Sequence, residues 1–326
     1  MIKTAIVTGV SGQDGVLLTK FLINKGYKVL GLSLYGENDY FEENENFILV
    51  KGDVLDKERL HSIFEEHKPS ECYHFAAISS ISQAFAKPDL ALEVNFMGTL
   101  NILETIRTKL DSCKLFIPCS VDMYGTFNGV INEQRPLTPV SPYGVSKAAS
   151  MMLAESYRQS YGLFVCCGIL TNHESEYRGP DFVTKKIVST LVKIRKGEED
   201  CLFLGNMNSK RDWGYAGDYV EAMWMMLQNE VANDYVVSTG ETHTVREFVE
   251  EACAVLGFEL EWQGSGLDEV GIDKKTGKKI ISIDSKFFRH SDINLESDSS
   301  KIREELNWEP KTKFKELVRL MVEHER

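Results

Sequence analysis

The sequence predicts an α/β protein built on a doubly wound parallel β-sheet, with a smaller α/β lobe at its C-terminal end. Short apolar runs alternate with amphipathic helical segments over the first 170 residues, which is the spacing of βαβ units. A glycine-rich turn directly follows the first apolar run. The chain has 326 residues, 43% hydrophobic and 26% charged, which is ordinary for a globular protein of one large unit or two lobes.

Six short runs are predicted as strands of the sheet: 2–8, 28–32, 47–50, 72–77, 114–118 and 165–170. The two clearest helices between them are predicted at about 13–25 and 88–110. After residue 170 the alternation breaks. Beyond it we expect a loop at 172–180, a short edge strand near 210–213, an irregular stretch at 268–279, and helices at 182–196, 215–229, 245–256 and 314–323.

The glycine-rich turn carries Gly9, Gly12 and Gly15 between the first strand and the first helix. Gly9 permits a tight turn, Gly12 lets the backbone approach a pyrophosphate, and Gly15 lets the helix pack closely on the strand. The amides at the helix start then face the phosphates. This arrangement predicts a dinucleotide-binding Rossmann domain over residues 1–170, with 215–238 packing back on it, and a substrate lobe over 171–326.

The end of the second strand bears on which dinucleotide binds. Leu34 and Tyr35 stand where an acidic residue would hold the ribose of NAD or an Arg would hold the extra phosphate of NADP. The absence of Arg favours NAD, and NADP stays open. Asp53, after the third strand, could accept a hydrogen bond from the adenine amine or could cap a helix. Ala76 ends the fourth strand with a small side chain that leaves room for a cofactor.

Composition excludes several classes of partner. A net charge of -12 argues against a nucleic-acid or anionic-membrane surface, and no apolar run has the length of a membrane span. The first residues enter a strand pattern without the layout of a signal peptide. The seven cysteines form no Cys-x-x-Cys pair, which indicates reduced thiols in a cytoplasmic protein and predicts no metal site.

The chemistry is expected around Tyr143 and Lys147, which lie four residues apart and so share one face of a helix. An ammonium beside a phenol favours the phenolate and lowers its pKa. Ser120 and Asp122 follow the fifth strand, at the ligand side of a parallel sheet. Ser120 could bond a substrate hydroxyl that Tyr143 deprotonates, and Asp122 is a second titratable group. For Ser120 or Asp122 alone, capping of a loop is the competing interpretation.

Together these motifs resemble the extended short-chain dehydrogenase/reductase superfamily, and within it the GDP-mannose 4,6-dehydratase family. The resemblance runs nearly end to end. It is carried by Gly12-Gln13-Asp14-Gly15, Asn172-His173-Glu174-Ser175, Phe182-Val183-Thr184-Lys185-Lys186, Lys210-Arg211-Asp212-Trp213-Gly214, Thr239-Gly240-Glu241-Thr242-His243 and Glu269-Val270-Gly271.

The resemblance implies an internal redox elimination on a GDP-sugar, with NAD or NADP recycled in each turnover. Tyr143, supported by Ser120 and Lys147, would act at sugar carbon 4, and Asp122 would remove the proton from carbon 5. The implied cofactor contacts are Gly9, Gly12, Gln13, Asp14, Gly15, Asp53, Val54, Ala76, Tyr143 and Lys147. The implied contacts to the GDP portion are Asn172, Lys186, Arg211, Glu269 and Arg289.

The resemblance also implies a homodimer or homotetramer, with a four-helix interface from helices near 91–107 and 143–161. The chain departs from the family in several places. This chain has Asp122 where the family usually has Glu, and Leu34-Tyr35 where it usually has a pair of Arg. It has Glu176-Tyr177-Arg178 where the family usually has Pro-Arg-Arg, and His290 where the family usually has Pro. GDP-mannose and GDP-N-acetylglucosamine are therefore both candidate substrates. A GDP-sugar epimerase, reductase or carbon-4 dehydrogenase is the alternative activity.

Overall fold

The fold comes from a computed structural model, which describes residues 2–37, 39–42, 44–126, 129–287 and 295–326. The strands in these residues are β1 Thr4–Thr8, β2 Lys28–Ser33, β3 Phe47–Lys51, β4 Glu71–His74, β5 Lys114–Ser120, β6 Gly129–Ile131, β7 Val165–Leu170, β8 Asn172–Glu174, β9 Leu202–Leu204, β10 Lys210–Arg211, β11 Trp213–Tyr215, β12 Tyr235–Val237, β13 His243–Thr244, β14 Leu260–Gln263, β15 Val270–Asp273, β16 Lys278–Ile283 and β17 Leu295–Ser297. The helices are α1 Gln13–Asn24, α2 Lys57–His67, α3 Ile81–Ala86, α4 Pro88–Leu92, α5 Gly98–Lys109, α6 Pro142–Tyr161, α7 Val183–Lys196, α8 Ala216–Gln228, α9 Val245–Leu256, α10 Ser300–Leu306 and α11 Phe314–Glu325.

Seven parallel strands form the central sheet in the order β12-β7-β5-β4-β1-β2-β3. The order reverses direction beside β1, so the sheet is doubly wound and the predicted fold class is confirmed. The six predicted strands are present with small shifts at their ends. The seventh, β12, was not predicted, because three residues are too short for a periodic pattern and only pairing with β7 identifies them.

Alternate side chains of each central strand enter separate apolar clusters on the two faces of the sheet. In β1, Ile6 packs into one cluster, whereas Ala5 and Val7 pack into the other. All three are fully buried. A parallel sheet covered by helices on both faces needs apolar residues at every strand position, and this explains the unbroken apolar runs in the sequence.

Helix α8 packs on one face of the central sheet although β9 of the smaller lobe precedes it in the chain and β14, β15 and β16 follow it. Its Tyr219 and Met223 are fully buried in the same cluster as Val7 of β1 and Phe116 of β5. The predicted bounds of this helix differ from the observed ones by one residue at each end. The predicted division of the chain at residue 170 stays a prediction.

The smaller lobe has its own apolar cluster between helices α7, α9 and α11 and a four-stranded sheet, β14-β15-β16-β9. The predicted irregular stretch at 268–279 is wrong, because β15 and β16 pair there as an antiparallel hairpin. Its turn is closed by Gly277 N–H donating to the Asp273 carbonyl oxygen at 2.8 Å, and Gly277 has a φ of +68°. Helix α10 was also not predicted.

The predicted helix at 88–110 contains a π-helical turn at Glu93–Met97. Asn95 lies in this turn and is buried. Its side-chain amide accepts from the backbone N–H of Ile78 at 2.7 Å and donates to the Ile78 carbonyl oxygen at 3.1 Å and to Ser146 Oγ at 2.9 Å. The turn therefore ties the segment after β4 to helix α6.

Candidate active site

A cavity of about 1220 Å³ opens at the carboxyl ends of the parallel strands and extends into the smaller lobe. Ligands bind at this edge of doubly wound sheets. The volume exceeds the usual range for one drug-sized ligand. Fifteen of the residues predicted from the sequence line it: Gly9, Gly12, Gln13, Asp14, Gly15, Asp53, Val54, Ala76, Ser120, Asp122, Tyr143, Lys147, Asn172, Lys186 and Arg211.

The glycine turn forms a cradle that side chains would fill. A Cβ on Gly9, whose φ is +68°, would lie 2.7 Å from the backbone nitrogen of Ala76. A Cβ on Gly15 would lie 2.4 Å from the Gly9 carbonyl oxygen. No side chain caps the start of α1, so its first amides face the cavity without a competing acceptor from the cap residue. The cradle fits the pyrophosphate of a dinucleotide.

The cavity wall beside β2 carries no cationic side chain among the residues described. Leu34 and Tyr35 line this end and are 50% and 74% exposed. Asp53 also lines it, and its Oδ1 accepts from the backbone N–H of Leu55 at 3.0 Å. The cap of helix α2 is Asp56, which accepts from Arg59 N–H at 3.0 Å. The helix-cap interpretation of Asp53 is therefore wrong.

Ser120, Asp122, Tyr143 and Lys147 meet on one wall of the cavity. Ser120 Oγ donates to Asp122 Oδ2 at 3.0 Å and also caps the short 3-10 helix after β5. Lys147 Nζ donates to the Pro118 carbonyl oxygen at 2.9 Å and lies 5.9 Å from the centroid of the Tyr143 ring. The Ser141 cap and Pro142 in the first turn fix the start of α6, and so place both Tyr143 and Lys147.

The electrostatics of Tyr143 differ from our expectation. Burial raises the pKa of its phenol, and the Asp122 carboxylate raises it further. The Ser120 hydrogen bond acts in the opposite direction without reversing the shift. Burial also lowers the pKa of Lys147. The expected lowering of the phenol pKa by Lys147 is therefore wrong for this structure, because desolvation penalises both charged forms.

The segment after β7 contributes His173, for which the sequence predicted no role in the site. His173 Nδ1 donates to the Thr171 carbonyl oxygen at 2.8 Å, and Nε2 lies 3.0 Å from Asp14 Oδ2. Burial alone would lower the pKa of His173, but the Asp14 carboxylate raises it overall. Burial opposes ionisation of Asp14, yet His173 lowers its pKa overall. The two side chains therefore form an ion pair between the glycine turn and β8 wherever His173 is protonated.

Two further hydrogen bonds join the glycine turn to the segment after β7. Gln13 Nε2 donates to the His173 carbonyl oxygen at 3.0 Å, and Ser175 Oγ donates to Gln13 Oε1 at 3.0 Å. The bonded residues come from two of the stretches that carried the resemblance. Membership of both stretches in the family pattern was the one sequence feature that could have suggested a shared site. Neither stretch by itself predicts that it contacts the other.

The far end of the cavity is cationic. The predicted residues Lys186 and Arg211 line it, and Lys286 lines it without having been predicted as a binding residue. Asn172 and Arg178 also line the cavity, but Arg178 acts electrostatically on Asp14 and Tyr143 and pairs with Glu174 at 2.8 Å. Lys186 Nζ lies 3.7 Å from the centroid of the Phe287 ring. Cationic groups around an open pocket suit a diphosphate.

One predicted substrate contact does not line the described part of the cavity, and another lies outside the described residues. Glu269 is absent from the described lining, and both of its carboxylate oxygens accept from Arg246 Nη2 at 2.9 Å. Its contact with GDP stays a prediction. Arg289, like His290, lies outside the described residues. Within those residues, no group of three or more His, Cys, Asp or Glu side chains could hold a metal ion.

The profile of the GDP-mannose 4,6 dehydratase family matches residues 6–321, which is nearly the whole chain. The chain belongs to the GDP-mannose 4,6-dehydratase family. The GDP-mannose 4,6 dehydratase of Cricetulus griseus is similar at 40% identity, over 98% of this chain and 91% of that protein. The GDP-mannose 4,6-dehydratase of Vibrio cholerae is similar at 39% identity, over 99% of this chain and 93% of that protein.

Solved structures agree with this family at the level of the fold. The UDP-glucose 4-epimerase of Thermus thermophilus, solved in complex with NAD, has a TM-score of 0.80 and 26% identity over 99% of both chains. The dTDP-glucose 4,6-dehydratase of Bacillus anthracis has a TM-score of 0.82 and 24% identity, over 99% of this chain and 96% of that one. The Rossmann fold of the chain is therefore shared with enzymes that differ in their sugar chemistry.

Proposed function

We propose that the chain is a GDP-sugar 4,6-dehydratase that converts a GDP-hexose to its 4-keto-6-deoxy product. One observation carries the proposal. Ser120, Asp122, Tyr143 and Lys147 share a wall of a cavity that has a glycine cradle at one end and cationic side chains at the other. Membership of the family and about 40% identity to GDP-mannose 4,6-dehydratases support it.

A nicotinamide cofactor would lie against the glycine cradle, Asp53, Val54 and Ala76. When bound, it supplies the redox chemistry, taking two electrons from the sugar and returning them in the same turnover. The wall beside β2 supports NAD over NADP, because no Lys or Arg among the described lining residues there could pair with a 2′-phosphate. Calorimetric titration with NAD and NADP would test this preference, and tighter binding of NADP would contradict it.

Tyr143 is the group proposed to take the proton from the hydroxyl on carbon 4. Its raised pKa leaves the free phenol protonated at neutral pH, so the proton transfer needs added positive charge beside it. Lys147, held near the ring by the Pro118 carbonyl oxygen, is the ammonium placed to supply that charge. Ser120, on the same wall, is placed to orient the hydroxyl.

Asp122 is the proposed base at carbon 5. Oxidation at carbon 4 makes the neighbouring carbon-5 proton acidic, and a carboxylate can then remove it while water leaves from carbon 6. The hydrogen bond from Ser120 orients the carboxylate at 3.0 Å. Asp is one methylene shorter than the Glu usual in the family, so the sugar would lie closer to β5.

The substrate is tested by mass spectrometry of GDP-mannose and GDP-N-acetylglucosamine, each incubated with the protein and NAD and no added reductant. Loss of one water from either sugar is the expected result, and it also identifies the sugar class. An isomer of unchanged mass would instead indicate an epimerase. Accumulation of reduced cofactor without loss of water would indicate a carbon-4 dehydrogenase.

A dimer is the proposed assembly, formed by α5 with its preceding π turn and by α6. Exposed apolar side chains on these elements support it, namely Met97 at 41%, Val145 at 43% and Met152 at 63%. A cytoplasmic location is supported by the seven cysteines, all described and all free thiols. No helix in the described ranges is both long and apolar enough to cross a membrane.

A further inference from the structure

One hydrogen bond joins two cavity-lining segments that are far apart in the sequence. Gln83 Nε2 donates to Asp181 Oδ2 at 2.8 Å across 98 positions of the chain. Gln83 lies in α3, which follows the end of β4. Asp181 lies just before α7, the first helix of the smaller lobe. The bond therefore links the dinucleotide-binding side of the cavity to the substrate side.

The surroundings of the two residues place this bond at the edge of the cavity. Ser82 and Phe85, beside Gln83, line the cavity. Phe182 and Val183, beside Asp181, line it as well. Gln83 and Asp181 are themselves exposed to solvent. Asp181 also lines the cavity, so the bond joins two lining segments where the cavity meets solvent.

We propose that Gln83 and Asp181 form a clasp across the cavity mouth, which must open before a GDP-sugar enters or leaves. This inference rests on the proposed function, since it takes the cavity as the GDP-sugar site. The bond is charge-assisted, which makes it stronger than a neutral one, but it lies in water, which keeps it weak enough to break. Neither residue belongs to the group placed at the reacting atoms.

A clasp has a kinetic signature that distinguishes it from a binding contact. The bond is formed in the ligand-free chain, where it opposes entry, and in the proposed clasp it forms equally over the bound ligand, where it opposes exit. Breaking it raises the association and dissociation rate constants by the same factor and leaves Kd unchanged. A residue that touches the ligand would instead change Kd, chiefly through the dissociation rate constant.

The experiment measures GDP binding by stopped-flow fluorescence, because GDP cannot react and Trp213 lines the cavity. Gln83→Leu removes the amide donor without changing the local charge. The double variant Gln83→Glu with Asp181→Asn exchanges acceptor and donor, and so restores the bond at the same net charge. Gln159→Leu is the matched control, since Gln159 Nε2 makes a comparable exposed bond to Glu155 Oε1 at 3.1 Å, on α6 and outside the cavity lining.

We expect Gln83→Leu to raise both rate constants about fivefold, the size expected for loss of one ordinary hydrogen bond, since exposure to water weakens the contribution of the charge. The exchanged double variant should return to wild-type rates, and Gln159→Leu should match wild type. Unchanged rates in Gln83→Leu, or a change confined to Kd, would overturn the clasp while leaving the proposed function intact. Failure of the wild-type protein to bind GDP would overturn both.

Discussion

Asp122 is the residue on which elimination depends in the proposed mechanism, because the other three members of the wall serve only oxidation and reduction at carbon 4. Its carboxylate is held by Ser120 at 3.0 Å and raises the pKa of Tyr143. Asp122 and Tyr143 therefore influence each other, and removal of the charge should affect the two chemical steps in opposite directions.

Asp122→Asn should reduce formation of the dehydrated product by about 10²- to 10⁴-fold, the usual contribution of a general base. Reduced cofactor should still form, since loss of the negative charge favours the Tyr143 phenolate. Mass spectrometry measures the product and near-ultraviolet absorbance measures the reduced cofactor. Asp56→Asn is the control, because it keeps a helix cap outside the cavity lining. Unimpaired dehydration in Asp122→Asn would exclude Asp122 as the base.

The ion pair of Asp14 and His173 predicts a pH dependence of stability. His173 has a folded pKa above the ordinary 6.5, so its contribution is complete below pH 6.5 and is lost as pH rises through the folded pKa. Asp14 has a folded pKa below the ordinary 3.8, so its contribution is complete above pH 3.8 and is lost as pH falls through the folded value. The pair is therefore most stabilising between about pH 4 and 6.5.

Urea unfolding of the wild type and His173→Gln at pH 6 and pH 9 measures this contribution. The difference in free energy of unfolding between the two proteins should be larger at pH 6. Asp14→Asn in the His173→Gln background should then add little, because the partner charge is already absent. A difference that is equal at both pH values would mean that His173 acts through packing, such as its stacking on Tyr219, and not through charge.

At the level of secondary-structure elements, the start of α1 is the junction between sheet, cofactor cradle and smaller lobe. The helix approaches the turn after β1 closely because Gly15 has no side chain, and it is bonded to β8 through Gln13 and Asp14. A change in the position of this helix would therefore disturb both the cofactor side and the substrate side of the cavity.

Gly15→Ala tests whether close packing of α1 is needed for stability and for NAD binding. Alanine is a better helix former than glycine by about 1 kcal/mol, so helix propensity alone would favour the change. The new Cβ would lie 2.4 Å from the backbone oxygen of Gly9, and overpacking of this kind costs about 1–3 kcal/mol. We expect a net loss of stability in thermal unfolding and weaker NAD binding by calorimetry.

Gly179→Ala is the control for the added methyl group, since its Cβ would meet only the Phe182 ring, at 3.7 Å. It should leave both stability and NAD binding close to wild type. If Gly15→Ala bound NAD as tightly as Gly179→Ala, close packing of the helix on the strand would not be what forms the cradle.

At the level of the whole molecule, the face formed by the π turn, α5 and α6 carries exposed apolar side chains. Met152 is 63% exposed there, whereas Met151 and Leu153 beside it pack partly against the core. Met151 and Leu153 therefore belong to the core, whereas Met152 is the residue available to the proposed interface. The packing direction of α6 separates them, because side chains at successive helix positions point about 100° apart.

Met152→Glu should convert the proposed dimer to a monomer in sedimentation velocity. In a two-fold interface the substitution occurs twice, and each copy loses about 1.5–3 kcal/mol of apolar burial and gains a charge that would have to be desolvated. Val231→Glu, at a site 67% exposed and remote from these helices in the chain, is the control and should sediment like the wild type. A dimer that persists in Met152→Glu would place the interface elsewhere.

The parallel sheet, the cradle and the positions of Tyr143 and Lys147 could be predicted from the sequence because their signals are local, whereas Asn172, Lys186 and Arg211 were implied only by the family resemblance. Apolar runs of buried strands, glycines at fixed spacing and a Tyr and a Lys four residues apart are all patterns within short windows. The strand β12, the hairpin of β15 and β16 and helix α10 are short and take their form from pairing and packing, so no window of sequence distinguishes them from loops.

Contacts through space account for the rest. Burial and Asp122 set the pKa of Tyr143, and this reversed the effect expected from Lys147 alone. Asp14 meets His173 across 159 positions, and Gln83 meets Asp181 across 98. Desolvation, charge pairing and bonds between the lobes depend on distances that the chain acquires only on folding. Spacing along the sequence could therefore identify residues of the site. It could not determine their pKa shifts or the clasp at the cavity mouth.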